Sequence, residues 1–326
     1  MYTGVDVGYS ATKAVTERRR VCFPSAVGTP DRASFALDGP DGVAIVLMAP
    51  VQALVGEEAI NQSRFLSRRE DRHWIESEEW LALFLAALTE LTLGAAVDVD
   101  LVTGLPVAFY TDKARVQERL LGDHRVQREG RRGQLLRVNN VRVIPQPFGS
   151  LLAEVLDGRG KITRPDLAGA AVGLIDVGGK TCNLLSVSRL SEISRETTSV
   201  NVGGWTLVRA VRRWLARQYP GLDDLRDHQL AAAIQARDLR YYGDAVADFP
   251  VIVDDLASDL ARQILSEASH LWNGGATLDT ILVTGGGALL LGEHISRHWP
   301  HAKAITNPVS ANAIGYWKLA QRLWGK

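Results

Sequence analysis

Residues 2–8, YTGVDVG, set β-forming residues around a single Asp and end in Gly, and ATKAV continues in strand-like composition toward Val21. This alternation predicts a hairpin with a small, tight turn. Residues 28–50 are rich in Gly, Pro and Asp around the apolar run VAIVLM, which predicts a short strand in a loop-rich insertion. Within 76–93 the stretch ESEEWLALFLAALTEL has acidic residues in its opening turn and long helix formers afterwards, so a helix is expected. VDVDLVTGLPVAFY, 97–110, reads as a buried strand broken at Gly104-Leu105-Pro106, and KARVQERLL as the helix after it.

The second half repeats part of this pattern. After the prolines at 145–147, SLLAEVLD reads as a short helix, and residues 170–188, AAVGLIDVGGKTCNLLSVS, as strand, Asp-Gly turn, strand. VDVGYSATKAV and IDVGGKTCNLL share an apolar residue, Asp, Val, Gly, a polar loop and an apolar strand. That echo implies two related lobes. Between 205 and 272 the chain is largely helical by composition, ILVTGGGALLL at 281–291 reads as strand, Gly-rich turn and helix, and NPVSANAIGYWKLAQRL closes as a proline-led loop into an amphipathic helix.

Composition narrows the class. At 326 residues and 46% hydrophobic content, two domains are the natural expectation. Thirty-seven basic and 37 acidic residues cancel, which argues against whole-protein attraction to DNA or an anionic membrane. Cys22 and Cys182 lie far apart and form no metal-ligand pair, so a reducing cytoplasm is expected. No export signal or membrane span is expected from the N-terminus MYTGVDVGYSATK or from any apolar run.

Two Asp-Val-Gly hairpins supply what a triphosphate site requires: backbone amides for phosphate oxygens and carboxylates that hold magnesium through its waters, with glycine permitting close approach. Asp6 would serve such a cation and Lys13 would reach the β- and γ-phosphates; Asp176 with Gly178 and Gly179 would form a second loop. Each alone also reads as an ordinary turn, and the pair changes the odds. Gly285-Gly286-Gly287, after ILVT, strips side chains from a strand-to-helix junction where a ligand can lie against backbone.

These segments together resemble the actin/Hsp70/hexokinase-type ATPases. VDVGYSATK resembles the phosphate-1 loop, PQPFGSLLAEVLD the first connecting helix, LIDVGGKTCNLL the phosphate-2 loop, VTGGGALLL the adenosine motif and NPVSANAIGYWKL the second connecting helix. The ending P-x-x-A-N-A-x-G-x-x-K-L and NVGGWTL at 201–207 are most similar to the ParM/StbA plasmid-segregation actins. The resemblance implies an α/β, two-lobed actin-like (duplicated ribonuclease H-like) fold with a nucleotide cleft between lobes. The first lobe would span 1–160, with a small insertion at about 28–75 and a completing helix at about 308–326; the second would span 161–307, with a helical insertion at about 200–275.

The resemblance also implies residue roles. Asp6 and Asp176 match the carboxylates that hold Mg2+ through water, Lys13 the phosphate lysine, and Gln146 the residue that orients the attacking water. Gly8, Tyr9, Ser10, Gly178, Gly179, Lys180 and Thr181 fall in the phosphate loops, Gly203 and Gly204 near the ribose and phosphates, and Gly285, Gly286 and Gly287 at the α-phosphate and adenosine. Arg237 and Arg240 in ARDLRYYG are candidates to stack on or bond the base. Three positions depart from the pattern, one being Lys180, which adds positive charge inside the second phosphate loop. Tyr9 stands where relatives carry a small or hydroxyl residue, and Asn183 where they commonly carry Asp.

Three functions remain open. The leading expectation is a cytoplasmic, Mg-dependent ATP (or GTP) hydrolase that forms head-to-tail filaments and segregates plasmid DNA through a small DNA-binding adaptor, without direct sequence-specific DNA binding. A small-molecule kinase of the same superfold is the runner-up, with Asp98 or Asp100 as acceptor-activating candidates. A chaperone or reactivating-factor ATPase is third, since no separate substrate-binding domain is expected. LVRAVRRWLARQ reads as a core-facing stripe with a solvated Arg face, and SRFLSRREDRHW at 63–74 as a protein contact surface.

Overall fold

The computed structural model describes residues 1–29, 45–48, 51–67, 72–128 and 132–325. The chain divides into two compact units, Met1–Thr163 with Asn312–Lys326, and Arg164–Ala311.

The first unit is built on a nine-stranded sheet whose strands are β1 (Tyr2–Val7), β2 (Ala11–Val15), β3 (Arg20–Pro24), β4 (Val27–Gly28), β5 (Ile45–Met48), β6 (Val51–Val55), β7 (Ala96–Leu105), β8 (Gly122–Arg128) and β9 (Gln134–Pro145). Their order is β3-β2-β1-β7-β9-β8-β5-β6-β4. The opening alternation forms the β1–β2 hairpin. The strand-like run toward Val21 is two strands, because Thr16 turns the chain: its N–H donates to the Arg19 carbonyl at 2.9 Å and its hydroxyl accepts from the Arg19 N–H at 3.1 Å. Of the 28–50 insertion, residues 30–44 and 49–50 lie outside the described residues, as do residues 68–71 of the 63–74 surface.

The pleat assigns each face of β1. Val5 joins a core with Leu101, Leu105 and the helix Glu78–Leu91, ten of whose residues are buried, including Trp80, Leu83, Phe84 and Leu88. Ser77 caps that helix, accepting from the Trp80 N–H at 3.2 Å. On the other face, Gly4 makes room for the last helix, Ala311–Trp324; a Cβ there would lie 2.2 Å from the Ala313 carbonyl oxygen.

The last helix crosses the helix Gln146–Val155 at nearly bare backbone. A Cβ on Gly315 would sit 1.7 Å from the Gly149 carbonyl oxygen, and one on Gly149 would meet the Tyr316 ring at 2.3 Å. Asn312 Oδ1, inside the contact, accepts from both the Ser150 N–H at 3.1 Å and the Ser150 hydroxyl at 2.7 Å. Lys318 Nζ donates to the Ala153 and Leu156 carbonyls, each at 2.5 Å, and so closes the far end of that helix. The helix begins at Gln146, four residues before the SLLAEVLD reading, because Pro147 in its first turn lacks only an N–H that has no partner there anyway.

The second unit has strands β10 (Ala171–Val177), β11 (Cys182–Ser188), β12 (Ser191–Glu192), β13 (Thr198–Val200), β14 (Arg240–Tyr241), β15 (Asp244–Ala245), β16 (Thr280–Thr284) and β17 (Ala302–Ala304). Its main sheet runs β12-β11-β10-β16-β17, with β13 also on β11, and β14 with β15 makes a separate hairpin. The β10–β11 pair is antiparallel and β10–β16–β17 parallel, the pattern of β1–β2 and β1–β7–β9 in the first unit. The helices Gly204–Gln218 and Phe249–Leu271 cover this sheet with Val208, Val211, Leu215, Phe249, Val253 and Ile264. The Arg-rich helix behaves as its pattern predicts: Arg209, Arg213 and Arg217 are exposed while Trp205, Val211 and Leu215 are buried.

The helix crossing gives a sharp contrast in urea unfolding. Gly315→Ala should destabilise by about 3 kcal/mol or more, at the upper end of overpacking costs. Gly169→Ala, where an added Cβ meets nothing within 4 Å, should change stability by less than about 1 kcal/mol.

Candidate functional site

Each unit ends its first hairpin in the same local structure. In the first, Gly8 N–H donates to the Ala11 carbonyl at 3.1 Å; in the second, Gly178 N–H donates to the Thr181 carbonyl at 2.9 Å. A buried aspartate precedes each turn by two residues, Asp6 at 2% and Asp176 at 3% exposure. The ladder places Lys13 opposite Asp6 and Asn183 opposite Asp176.

In the first unit three of the expected residues meet. Lys13 Nζ donates to Asp6 Oδ2 at 3.2 Å and Gln146 Nε2 donates to Asp6 Oδ1 at 2.7 Å. Lys13 offsets the cost of burying the carboxylate, which alone would be several kcal/mol. The contact with Asp6 also fixes the Gln146 amide, because an ionised carboxylate only accepts and so requires Nε2 toward it.

Gly104 makes the Gln146 contact possible, and its strand reading is corrected here. β7 runs unbroken through Gly104 and Leu105 and stops at Pro106. A Cβ on Gly104 would lie 1.9 Å from the Tyr316 hydroxyl and 3.1 Å from Gln146 Cα. The glycine thus marks a close approach rather than a break. The Tyr316 hydroxyl donates to the Gln146 carbonyl at 3.0 Å, so the last helix holds the residue that reaches Asp6. The sequence reading takes Gly104 for a break and does not pick out Tyr316; an isolated glycine within a strand pattern is the signal that marks a close approach at 104.

Two further neighbours complete this turn. Tyr9 stacks on Trp74 with ring centroids 4.6 Å apart and planes 21° apart, and the Ser10 carbonyl accepts from the Ser25 N–H at 3.0 Å. Cys22 stands opposite Lys13 on β3; burial raises its thiol, with Lys13 opposing in part. Cys182 is fully buried beside Asp176, and burial first, then that charge, pushes its thiol well up. Both thiols are therefore protonated at neutral pH and poor nucleophiles.

The second unit gathers its glycines around the end of β10. The Gly204 N–H donates to the Gly178 carbonyl at 3.0 Å and the Trp205 N–H to the Gly179 carbonyl at 2.7 Å. Gly203 and Gly204 therefore brace the turn, and the Gly204 amide expected near the phosphates is committed to it. A Cβ on Gly203 would come 2.6 Å from both turn carbonyl oxygens. Gly285 has φ +85° and a Cβ there would stand 2.4 Å from Asp176 Oδ1; one on Gly287 would meet Val177 Cγ1 at 2.4 Å, and the Gly287 N–H donates to the Val177 carbonyl at 2.9 Å. Gly286 alone of the three faces open space. Lys180 and Thr181 complete the turn, with Thr181 buried.

Arg237 and Arg240, the candidates for the base, are both ion-paired. Arg237 pairs with Asp254 at 3.2 Å, which also contacts His294 at 3.5 Å, and Arg240 pairs with Asp238 at 3.3 Å. Asp98 and Asp100 lie toward the opposite end of β7 from Gly104; Asn139 and Asn140 side chains donate to them at 3.3 and 2.7 Å. Four residues of strand, roughly 13 Å, separate Asp100 from the Gln146 end. Among the described residues no group of three or more His, Cys, Asp or Glu is arranged to hold a metal ion. Each unit instead carries one buried carboxylate beside its glycine turn, Asp6 and Asp176, a donor type that suits a hydrated cation. No helix of the described residues is long and apolar enough to cross a membrane.

A sheet of antiparallel hairpin and parallel strands, present twice with a carboxylate and a glycine turn at the same point, defines a duplicated ribonuclease H-like α/β protein. Residues 4–149 match the family model for the N-terminal domain of actin like proteins, and residues 174–297 that for the C-terminal part of the archaeal actin homologue MreB-like proteins. The chain belongs to the actin-like proteins. No curated protein matches it in sequence. Solved structures share its fold: a 15-stranded ParM filament from Clostridium botulinum (TM-score 0.81, 22% identity, 98% of each chain covered), and the archaeal actin homolog Ta0583 in native form (TM-score 0.82, 20% identity, 98% of this chain and 99% of that one) and in complex with ADP (TM-score 0.80, 19% identity, the same coverage).

The three glycines after β16 separate packing from ligand contact. Gly285→Ala should lower stability by about 2 kcal/mol or more in thermal unfolding, through positive-φ strain and overlap with Asp176. Gly286→Ala should stay within about 0.5 kcal/mol of the parent.

Proposed function

We propose that this chain is a Mg-dependent ATP hydrolase, or GTP hydrolase, that assembles head-to-tail with copies of itself in the triphosphate state and segregates plasmid DNA through a separate small DNA-binding adaptor. The observation that carries the catalytic part is the Asp6–Gln146 contact beside Lys13 and the Gly8–Ala11 turn. Filament assembly is supported by the likeness to a ParM filament and nucleotide binding by the likeness to an ADP complex, while the DNA cargo rests on the resemblance of the sequence motifs to the plasmid-segregation actins.

The turn amides and Lys13 bind the β- and γ-phosphates, and Gly178–Thr181 with the open face of Gly286 serve the rest of the nucleotide. Asp6 and Asp176 would hold magnesium through its water shell, where the ion neutralises charge on the phosphate oxygens. With Nε2 committed to Asp6, the Gln146 carboxamide offers Oε1 to accept from a water. That water attacks the γ-phosphorus, the bond to the β–γ bridging oxygen breaks, the diphosphate leaves with the electron pair, and the protons of the water end on the inorganic phosphate and in solvent. Positioning, rather than base strength, is what such a reaction needs.

Head-to-tail contacts are heterologous and do not close, so they yield filaments. Pelleting and light scattering at tens of micromolar protein, a concentration chosen for the assay, should show polymer with Mg-ATP or Mg-GTP and none with the diphosphate. A protein that stays monomeric with either triphosphate while phosphorylating a panel of sugars would overturn the filament reading in favour of a kinase.

Two variants test the roles of the site. Gln146→Ala should slow hydrolysis roughly 100-fold while triphosphate affinity changes little. Asp176→Ala should slow hydrolysis as strongly and weaken magnesium-dependent binding as well. Equal loss of binding in both would refute the water-orienting role of Gln146.

A further inference from the structure

The two glycine turns are held by different means. In the second unit the turn carbonyls of Gly178 and Gly179 accept from the first amides of the helix Gly204–Gln218, so a helix end fixes the loop. In the first unit β2 leads directly into β3, and the Ser10 carbonyl accepts from the Ser25 N–H just beyond that strand at 3.0 Å. At the point where the second turn carries Gly179, the first carries Tyr9, and its ring lies flat on Trp74 at 4.6 Å and 21°.

Trp74 is itself buried and tied down. It is 7% exposed, and its carbonyl accepts both the Ser77 N–H at 2.9 Å and the Ser77 hydroxyl at 2.6 Å. Ser77 is the residue that caps the helix Glu78–Leu91. Arg119 adds bonds to the Glu76 and Ser77 carbonyls at 2.5 and 3.0 Å, and Arg72 forks onto Asp112 at 2.7 and 3.0 Å. The segment is thus tied to the core on both sides of Trp74.

We infer that Trp74 is a positioning residue for the first phosphate turn: through the Tyr9 stack it holds the Gly8–Ala11 backbone in the form that receives phosphate, as the helix N-terminus holds the Gly178–Thr181 turn. This rests on the nucleotide-binding reading above and extends it to a residue outside every motif. A turn already ordered before the ligand arrives loses less conformational freedom on binding. A stacked aromatic pair contributes about 0.5–1.5 kcal/mol, equivalent to roughly a 2- to 10-fold change in affinity.

The test uses the full chain with Tyr9→Ala, Trp74→Ala, the double variant, Tyr9→Phe, Trp74→Phe and, as a packing control, Trp80→Phe in the same core. Hydrogen exchange of the ligand-free proteins comes first. Trp74→Ala and Tyr9→Ala should each speed exchange at residues 8–11 and leave 178–181 unchanged. Titration with Mg-ATP should then show each single alanine variant binding roughly 2- to 10-fold more weakly, the double variant no weaker than the worse single, and the two phenylalanine variants restored. Trp80→Phe should lose stability without altering exchange at 8–11 or affinity.

Additive losses in the double variant, or a Trp74→Ala effect matched by Trp80→Phe, would overturn the inference. Unchanged exchange at 8–11 overturns it even if no nucleotide binds. Should Trp74→Ala fail to fold, Tyr9→Ala against Tyr9→Phe carries the same comparison from a half-buried position. A parent protein that binds no nucleoside triphosphate refutes the functional reading separately, because the exchange result stands without ligand.

Discussion

Close backbone approach around Tyr316 is the constraint from which the first unit's site follows. Three glycines, at 104, 149 and 315, clear the space that this buried ring and its helix occupy. Any one Cβ there would overlap an atom by an ångström or more, and packed interiors do not deform continuously to accept that. With the space clear, the Tyr316 hydroxyl bonds the first carbonyl of the helix Gln146–Val155, and the Gln146 side chain reaches Asp6. The chemistry at Asp6 therefore depends on residues from the far end of the chain.

The same site shows how burial and charge are reconciled. Asp6 is almost wholly removed from water, so it needs a cation and a donor, and Lys13 and Gln146 supply one each. In the second unit the residue across the ladder from Asp176 is Asn183, whose Oδ1 accepts from the Ser199 hydroxyl at 2.6 Å. A carboxylate at position 183 could accept the same hydrogen bond but would add a second buried charge beside Asp176. Asn183 keeps the hydrogen bond and omits the charge.

Local features of this arrangement were legible in the sequence. Both hairpins show in β-forming runs that end at Asp-x-Gly, because strand pairing and turn chemistry act over a few residues. Helix Glu78–Leu91 shows in its acidic start and apolar body. What joins distant segments was less so. Gln146 could be connected with Asp6 only by resemblance to a family, since nothing in PQPFGS states which strand end it meets. Gly104 was misread because a glycine before Pro106 signals a break as readily as a close approach. Trp74 could not be found at all: an aromatic stack between two distant residues leaves no period in either segment.

Duplication with divergence explains why the two turns differ where they do. Strand order and the turn hydrogen bond are common to both units, and they require only backbone and glycine. The side chains facing each aspartate are then free to diverge without disturbing the sheet. One turn carries a lysine on its aspartate and is latched by aromatic rings. The other leaves its aspartate without a lysine across the ladder and is clamped by helix amides. Two copies of one hairpin thus keep the same backbone turn while each is held in place by different side chains and amides.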